Sequence, residues 1–357
     1  MKNKKLLICL GIVVLLGLVA IGIFKNRQQA ADDNVIRIGA ILPLTGRFGN
    51  MGNLIRAGLE EGRSDSMRIL YFDTKSEVRL NVDGYRHLAD TCNIFVTTTS
   101  EGALTLKPLT LQDEKLLLGI ASHAEIVSDN KKLVVRPLNT GRDEAKFLVD
   151  YILKQNLKEV YIYSQNIEAG LDFVKIMKDG IGESIIGVTY FEDNYEALRS
   201  ILSEKFHKNA KCIVIYGYAP IMGSIAKILR ESNYDGQIIS TTGFGTAASQ
   251  SAAGEAAQSV PYVDYDFPYE SPEYQTMNER SLKSYNTPFT SACFISYAAM
   301  RILDHVIGEI GKDPKHIGLE ICNDKQYTIN GVTFTAHPDG SITAPYCLFV
   351  AGKKMQK

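Results

Sequence analysis

From Val35 onward, short apolar runs alternate with amphipathic stretches at a nearly regular interval. The runs are "VIRIGAIL" (Val35), "MRILYFD" (Met67), "NIFVTTT" (Asn93), "KLLLGI" (Lys115), "KLVVRPL" (Lys132), "EVYIYS" (Glu159), "SIIGVTYF" (Ser184), "KCIVIYGY" (Lys211) and "GQIIST" (Gly236). Most are continuously apolar rather than alternating, which suits parallel strands covered on both faces. Between them "DEAKFLVDYILKQN" (Asp143), "GLDFVKIMKDGI" (Gly170), "EALRSILSEKF" (Glu196) and "IMGSIAKILRESN" (Ile221) carry apolar residues every three or four positions, as amphipathic helices do. Strand and helix repeated in this way predict an α/β fold of doubly wound open sheets. A closed eight-stranded barrel has the same alternation, but the end of the chain breaks the rhythm. Two long helical patterns, from Ser271 and from Ser291, follow one another, and strands joined by a turn at "HPDGS" come after them. Two open lobes that exchange segments end in this way; a barrel does not.

The ends and the charge narrow the class. "MKNKK" is basic and Leu6 to Phe24 is an unbroken apolar run, close to the ~20 residues that span a bilayer. Lys25 and Arg27 follow directly, and Ala30 and Ala31 offer a poor cleavage site. Residues 1–27 are therefore expected to be a membrane anchor or a cleaved signal segment, retention being favoured over cleavage, residues 28–34 a linker, and the rest exported by the positive-inside rule. The 357 residues carry a net charge of −1 without a long basic run, which removes nucleic acid from the partners expected. Cys92, Cys212, Cys293, Cys322 and Cys347 follow the anchor with no metal-binding spacing, and the six histidines are scattered, so neither a metal site nor another cofactor is expected. Buried thiols are the first expectation; if a disulfide forms, Cys322 with Cys347 is the pair to test.

In open α/β sheets ligands lie at the carboxyl ends of strands. The first such loop, "LPLTGRFGNMGN", holds Gly46, Gly49 and Gly52 without the spacing of a phosphate loop. It reads as a flexible turn or a ligand-facing loop. In "VTTTSEGAL" the hydroxyls of Thr97, Thr98, Thr99 and Ser100 precede a helix. One is expected to cap it, and the free N–H groups there attract an anion. Glu101 in the same turn repels an anion unless it points away or meets a cationic group. "ASHAEIVSDN" adds His123, and "SQNIEAG", "YGYAPIMG" and "TTGFGTAASQ" supply later loops. Of Tyr216 and Tyr218, at least one is expected in the core. The sequence has no nucleophile elbow, no H-E-x-x-H and no spaced triad, and it reads as a binder rather than an enzyme.

In their order, "IRIGAILPLTGRFGNMGNLIRAGLE", "VTTTSEGALTLKPL", "LLLGIASHAEIV", "RPLNTGRDEAKFLVDYIL", "YIYSQNIEAGLDFVKIMKDGI", "IVIYGYAPIMGSIAKILRESNYDGQIISTTGF" and "SACFISYAAMRIL" resemble the type I periplasmic binding proteins. The group most resembled is the leucine/isoleucine/valine-binding branch, the substrate-binding parts of ABC importers. That resemblance implies two α/β lobes joined by three crossovers, near Pro137 to Thr140, Gln258 to Tyr262 and Asp324 to Gln326. Lobe one would be 35–139 plus 262–325 and lobe two 140–261 plus 326–357, with the ligand in the cleft between them.

Carried over residue by residue, the resemblance matches Ser100 to the serine that holds a ligand carboxylate. It matches Ser122, His123 and Ala124 to the small-hydroxyl loop, and Tyr218 to the strand-eight tyrosine. Met51 and Ile167 stand where the family has aromatic residues, and Thr242 where it has the acidic partner of the ligand ammonium. Glu101 is a further polar candidate. The implied function is an extracytoplasmic solute-binding protein, tethered by Leu6 to Phe24, that presents a small amino-acid-like or carboxylate-bearing ligand to an ABC permease. The alternative is a tethered sensory or envelope-interaction domain on the same fold, with a signalling or envelope protein as partner.

Overall fold

The computed structural model describes residues 35–192, 194–203, 208–218 and 220–355. The segment expected to anchor the chain lies outside them. No helix among the described residues is long and apolar enough to cross a membrane.

The chain begins with β1 (Ile36–Leu42), α1 (Gly49–Gly62), β2 (Met67–Asp73), α2 (Arg79–Leu88), β3 (Ile94–Thr98), α3 (Ser100–Gln112), β4 (Leu116–Ile120) and β5 (Val134–Val135). These strands form a parallel sheet in the order β2-β1-β3-β4-β5. Then come α4 (Gly141–Lys154), β6 (Val160–Gln165), α5 (Glu168–Ile181), β7 (Ile185–Phe191), α6 (Tyr195–Ser203), β8 (Cys212–Tyr216), α7 (Ile221–Glu231), β9 (Gln237–Ser240), α8 (Ala247–Ala253) and β10 (Tyr262–Tyr265). Helices α9 (Pro272–Tyr285), α10 (Ser291–Ile310) and α11 (Pro314–Ile321) follow. Five strands finish the chain: β11 (Gln326–Ile329), β12 (Val332–Ala336), β13 (Ile342–Thr343), β14 (Tyr346–Val350) and β15 (Lys353–Lys354). The second large sheet has the order β15-β14-β10-β9-β8-β6-β7, and β11-β12-β13 make a small third one.

Both large sheets bury both faces, as their continuous apolar runs require. In β3, Ile94 and Val96 enter one core and Phe95 the other. In β8, Ile213 and Ile215 face one side while Val214 and Tyr216 face the opposite one.

Two expected lobe boundaries move. Residues 262–265, expected in lobe one, are β10, which pairs parallel with β9 and antiparallel with β14. Residues 326–343, expected in lobe two, instead send Tyr327, Val332, Phe334 and Ile342 into the core of the first sheet. The second crossing therefore lies at 266–271 and the third at 344–345, where β13 gives way to β14. Cys322 and Cys347, the pair named for test, are not joined, and buried thiols are what the structure holds. All five described cysteines are buried free thiols, Cys322 following α11 and Cys347 standing on β14 of the other sheet.

The crossings meet in a polar and aromatic joint. The Asn139 amide donates to the Ala344 carbonyl at 2.9 Å and accepts the Ala344 N–H at 2.8 Å, tying the first crossing to the third. Tyr265 stacks on Phe267 at 5.0 Å and meets Tyr346 at 4.9 Å. Beside the joint, Glu144 of α4 is buried and accepts the Thr242 N–H at 3.1 Å. Burial holds its carboxyl up to about 7; hydrogen bonds from Thr242 pull the other way, and Asp264 and Asp143 push up further.

Helix α10 joins the first lobe by lying close against α1. A Cβ on Gly58 would stand 2.0 Å from the Cys293 carbonyl oxygen, and one on Gly62 would stand 2.6 Å from that of Tyr297. Gly58→Ala is therefore expected to cost at least about 2 kcal/mol in urea unfolding; an unchanged midpoint would show that the two helices separate freely. A second expectation concerns Glu144. The folded protein holds its proton more tightly than the unfolded chain, so the stability it contributes is fully present below pH 4.5 and is lost as pH rises through about 7. Glu144→Gln keeps the acceptor for Thr242 without the charge. It is expected to match the parent at pH 4.5 and to exceed it at pH 8 by up to about 3 kcal/mol. Parallel pH–stability curves for the two proteins would refute this.

Candidate functional site

The strand orders place a switch point between β1 and β3 in the first sheet and between β6 and β8 in the second, where crevices form at strand carboxyl ends. A cavity of about 320 Å³ opens there between the lobes. The first lobe lines it with Ser100, Ser122, His123, Ala124 and Glu125, and the crossing and second lobe with Thr140, Gly141, Arg142, Ile167, Glu168, Ala169, Asp172 and Tyr218. Five of the eight expected site residues thus meet in one cavity: Ser100, Ser122, His123, Ile167 and Tyr218.

The hydroxyl run at the head of α3 divides its tasks. Thr97 donates to the Ile41 carbonyl at 2.8 Å and Thr98 to that of Ile120 at 2.9 Å, fixing β3 between β1 and β4. Thr99 is the cap, its hydroxyl accepting the Gly102 N–H at 3.1 Å. It sits at φ +67°, a left-handed conformation that costs a β-branched residue of order 1–3 kcal/mol. With both buried threonines and the cap spoken for, Ser100 is the hydroxyl that reaches the cavity.

On the next loop, His123 Nδ1 accepts the Glu125 N–H at 3.2 Å, so in the neutral ring Nε2 carries the hydrogen. Nε2 faces Glu168 Oε2 across the cleft at 3.7 Å. The Tyr218 hydroxyl lies near Ser122 of the other lobe, and its backbone N–H donates to Gln165 Oε1 at 2.9 Å. Tyr216 is the tyrosine that packs in the core, stacked on Phe173 at 4.2 Å.

Three expected contacts do not line the cavity. Glu101 lies beside a separate small pocket with Phe48, Asn81 and Thr99, because adjacent helical residues point about 100° apart. Met51 is exposed on α1. Its loop is held toward β2 by Asp73, which accepts the N–H groups of Leu44 and Thr45, and by Ser76, which accepts that of Phe48. Thr242 gives its N–H to buried Glu144 instead.

Sequence reading missed Thr140, Arg142, Glu168 and Asp172. The N-termini of α3, α4 and α5 all contribute to the cavity wall, and their unpaired N–H groups favour an anion there. Arg142 donates from Nε and Nη2 to Asp172 Oδ2 at 2.9 and 2.6 Å. The one available signal was "NTGRDE", whose Thr140 and Asp143 form a capping pair, Asp143 Oδ2 accepting the Thr140 N–H and hydroxyl at 2.8 Å each. A larger crevice of about 920 Å³ behind the second crossing, between Asp266–Ser271 and Lys353, contains none of the expected site residues. Among the described residues no His, Cys, Asp and Glu cluster could hold a metal ion.

Known proteins of this architecture are numerous. The branched-chain amino acid transporter substrate binding protein LivJ from Streptococcus pneumoniae, in complex with isoleucine, superimposes with a TM-score of 0.73 at 16% identity, covering 90% of this chain and 98% of its own. A branched chain amino acid ABC transporter periplasmic ligand-binding protein from Burkholderia xenovorans gives 0.75 at 14% identity over 89% and 90% of the two chains. A solute binding protein of an ABC transporter from R. palustris, in complex with benzoate, gives 0.69 at 17% over 90% and 95%. No curated protein matches the chain by sequence. The family model described as periplasmic binding protein matches residues 35–318, which is most of the chain. With two doubly wound lobes and a cavity at their facing strand ends, this chain belongs to the periplasmic binding protein family.

Proposed function

We propose that the protein is an extracytoplasmic solute-binding protein that takes a small carboxylate-bearing or amino-acid-like molecule between its lobes and presents it to an ABC permease. The observation that carries this reading is the meeting of Ser100 and Ser122 from one lobe with Tyr218, Ile167 and the start of α4 from the other around one cavity. A ligand anion seated at the head of α3 accepts from the Ser100 and Ser122 hydroxyls, with His123 Nε2 beside them. Tyr218 and Ile167 form the opposite wall. A ligand touching both lobes binds the closed arrangement better than an open one, and that difference in affinity is what drives closure. The similar proteins solved in complex with isoleucine and with benzoate support a carboxylate as the common ligand feature. The apolar run Leu6 to Phe24 would hold the protein at the membrane. The same run favours a second reading, a tethered sensory or envelope domain. Cross-linking in membranes separates the two, a permease supporting the first and a signalling or envelope protein the second.

The test is a thermal-shift panel of amino acids and small organic acids. A ligand present at about 100 times its Kd is expected to stabilise the fold by about 2.7 kcal/mol, raising Tm by several degrees. Ser100→Ala should weaken binding by about 1 kcal/mol, or about fivefold. A panel with no shift in the parent protein would remove the transport reading.

A further inference from the structure

Arg142 is oddly placed for a structural cation. It is the second residue of α4, where the helix dipole disfavours positive charge, and it lines the interlobe cavity. Its guanidinium nonetheless has a defined partner, with Nε and Nη2 both bonded to the single oxygen Asp172 Oδ2. Nη1 has no partner among the described residues. Asp172 belongs to α5, so two helices of the second lobe cooperate to aim a cation at a cavity whose other wall carries Ser100 and Ser122.

The cavity's acidic residues have basic company of their own. Asp172 holds Arg142, Glu168 faces His123 at 3.7 Å, and Lys107 is electrostatically coupled to Glu125. Glu144, the carboxyl nearest the Thr242 position, is buried and bonded to the Thr242 N–H. An ammonium group entering the cavity would compete with Arg142 for Asp172 and otherwise meet only the exposed Glu125 and Glu168, while an anion would meet hydroxyls, helix N-termini and the Arg142 guanidinium.

We infer that Arg142 is the specificity-determining residue of the second lobe, that it takes the same carboxylate Ser100 and Ser122 hold from the first, and that the ligand is an organic acid without an ammonium group. The inference rests on the solute-binding reading above. It makes the anion itself the element that joins the lobes. Asp172 is then a positioning residue, acting through the orientation of Arg142.

Isothermal titration with three acids of similar size, leucine, its 2-hydroxy analogue and benzoate, tests it in the parent protein and in Arg142→Gln, Arg142→Lys, Asp172→Asn and Ser100→Ala. The 2-hydroxy acid or benzoate is expected to bind at least about tenfold tighter than leucine. Arg142→Gln should lose at least about tenfold for that acid, and Arg142→Lys should recover only part of it, since an ammonium lacks the planar fork. The Asp172→Asn loss should disappear in the Arg142→Gln background, which a merely structural Asp172 would not do. Apo Tm should stay within a few degrees for Arg142→Gln, because the side chain is about half exposed. Leucine binding tightest, or acids that bind with sensitivity to Ser100→Ala but none to Arg142→Gln, would overturn this inference and leave the solute-binding reading standing. If none of the three binds the parent protein at millimolar concentration, this inference falls, and the thermal-shift panel decides the solute-binding reading.

Discussion

Covering both faces of a parallel sheet constrains this molecule more than any other requirement. Once helices pack on each side, the strands become continuous apolar runs, and polar chemistry is confined to their carboxyl ends. Two such sheets facing each other end to end concentrate those loops in one place. Ser100 follows β3, Ser122 follows β4, Ile167 follows β6 and Tyr218 follows β8, and all four line one cavity. The site is thus a consequence of how the cores are covered, with the loops supplying its chemistry.

The joint between the sheets has to be polar enough to satisfy three bare backbone segments and well packed enough to hold their register. Asn139 meets the first need by exchanging two hydrogen bonds with Ala344. The rings of Tyr265, Phe267 and Tyr346 meet the second. Charge accumulates there too. Burial holds Glu144 up to about 7 and Asp264 up to about 6, so the region beside the crossings gains negative charge across the neutral range.

The fold was legible because its signal is local: apolar runs of strand length separated by amphipathic helices. The rule of strand carboxyl ends points at the loops of the cavity's first-lobe wall, and the family resemblance singled out Ser100 and Ser122 within them. Arg142 and Asp172 were not legible, because their place depends on the angle at which α4 leaves the first crossing, which no local pattern encodes. The crossing boundaries failed similarly. "YVDY" reads equally well as the start of a helix-bound segment or as a strand, and only pairing with β9 and β14 decides it. Glu101 failed for a geometric reason, one residue along a helix being enough to turn a side chain from the cavity to another pocket.

Magnitudes decide which contacts can govern closure. Across the cleft the lobes meet through His123 and Glu168 at 3.7 Å and through Tyr218 with Ser122. The first is longer than a hydrogen bond and Glu168 is exposed, so it contributes at most about 1 kcal/mol, and a neutral hydroxyl pair is worth about as much. On the proposed reading, a carboxylate bonded to Ser100, Ser122 and the Arg142 guanidinium would gain about 1.5–3 kcal/mol for each charge-assisted bond. Direct lobe contacts of this size leave the arrangement of the lobes responsive, and under the proposal the anion would be the stronger tie. The strain at Thr99 fits the same scheme. Its φ of +67° lets one residue close the end of α3 while the next lines the cavity, so the cost of that conformation is borne where the proposed carboxylate would be held.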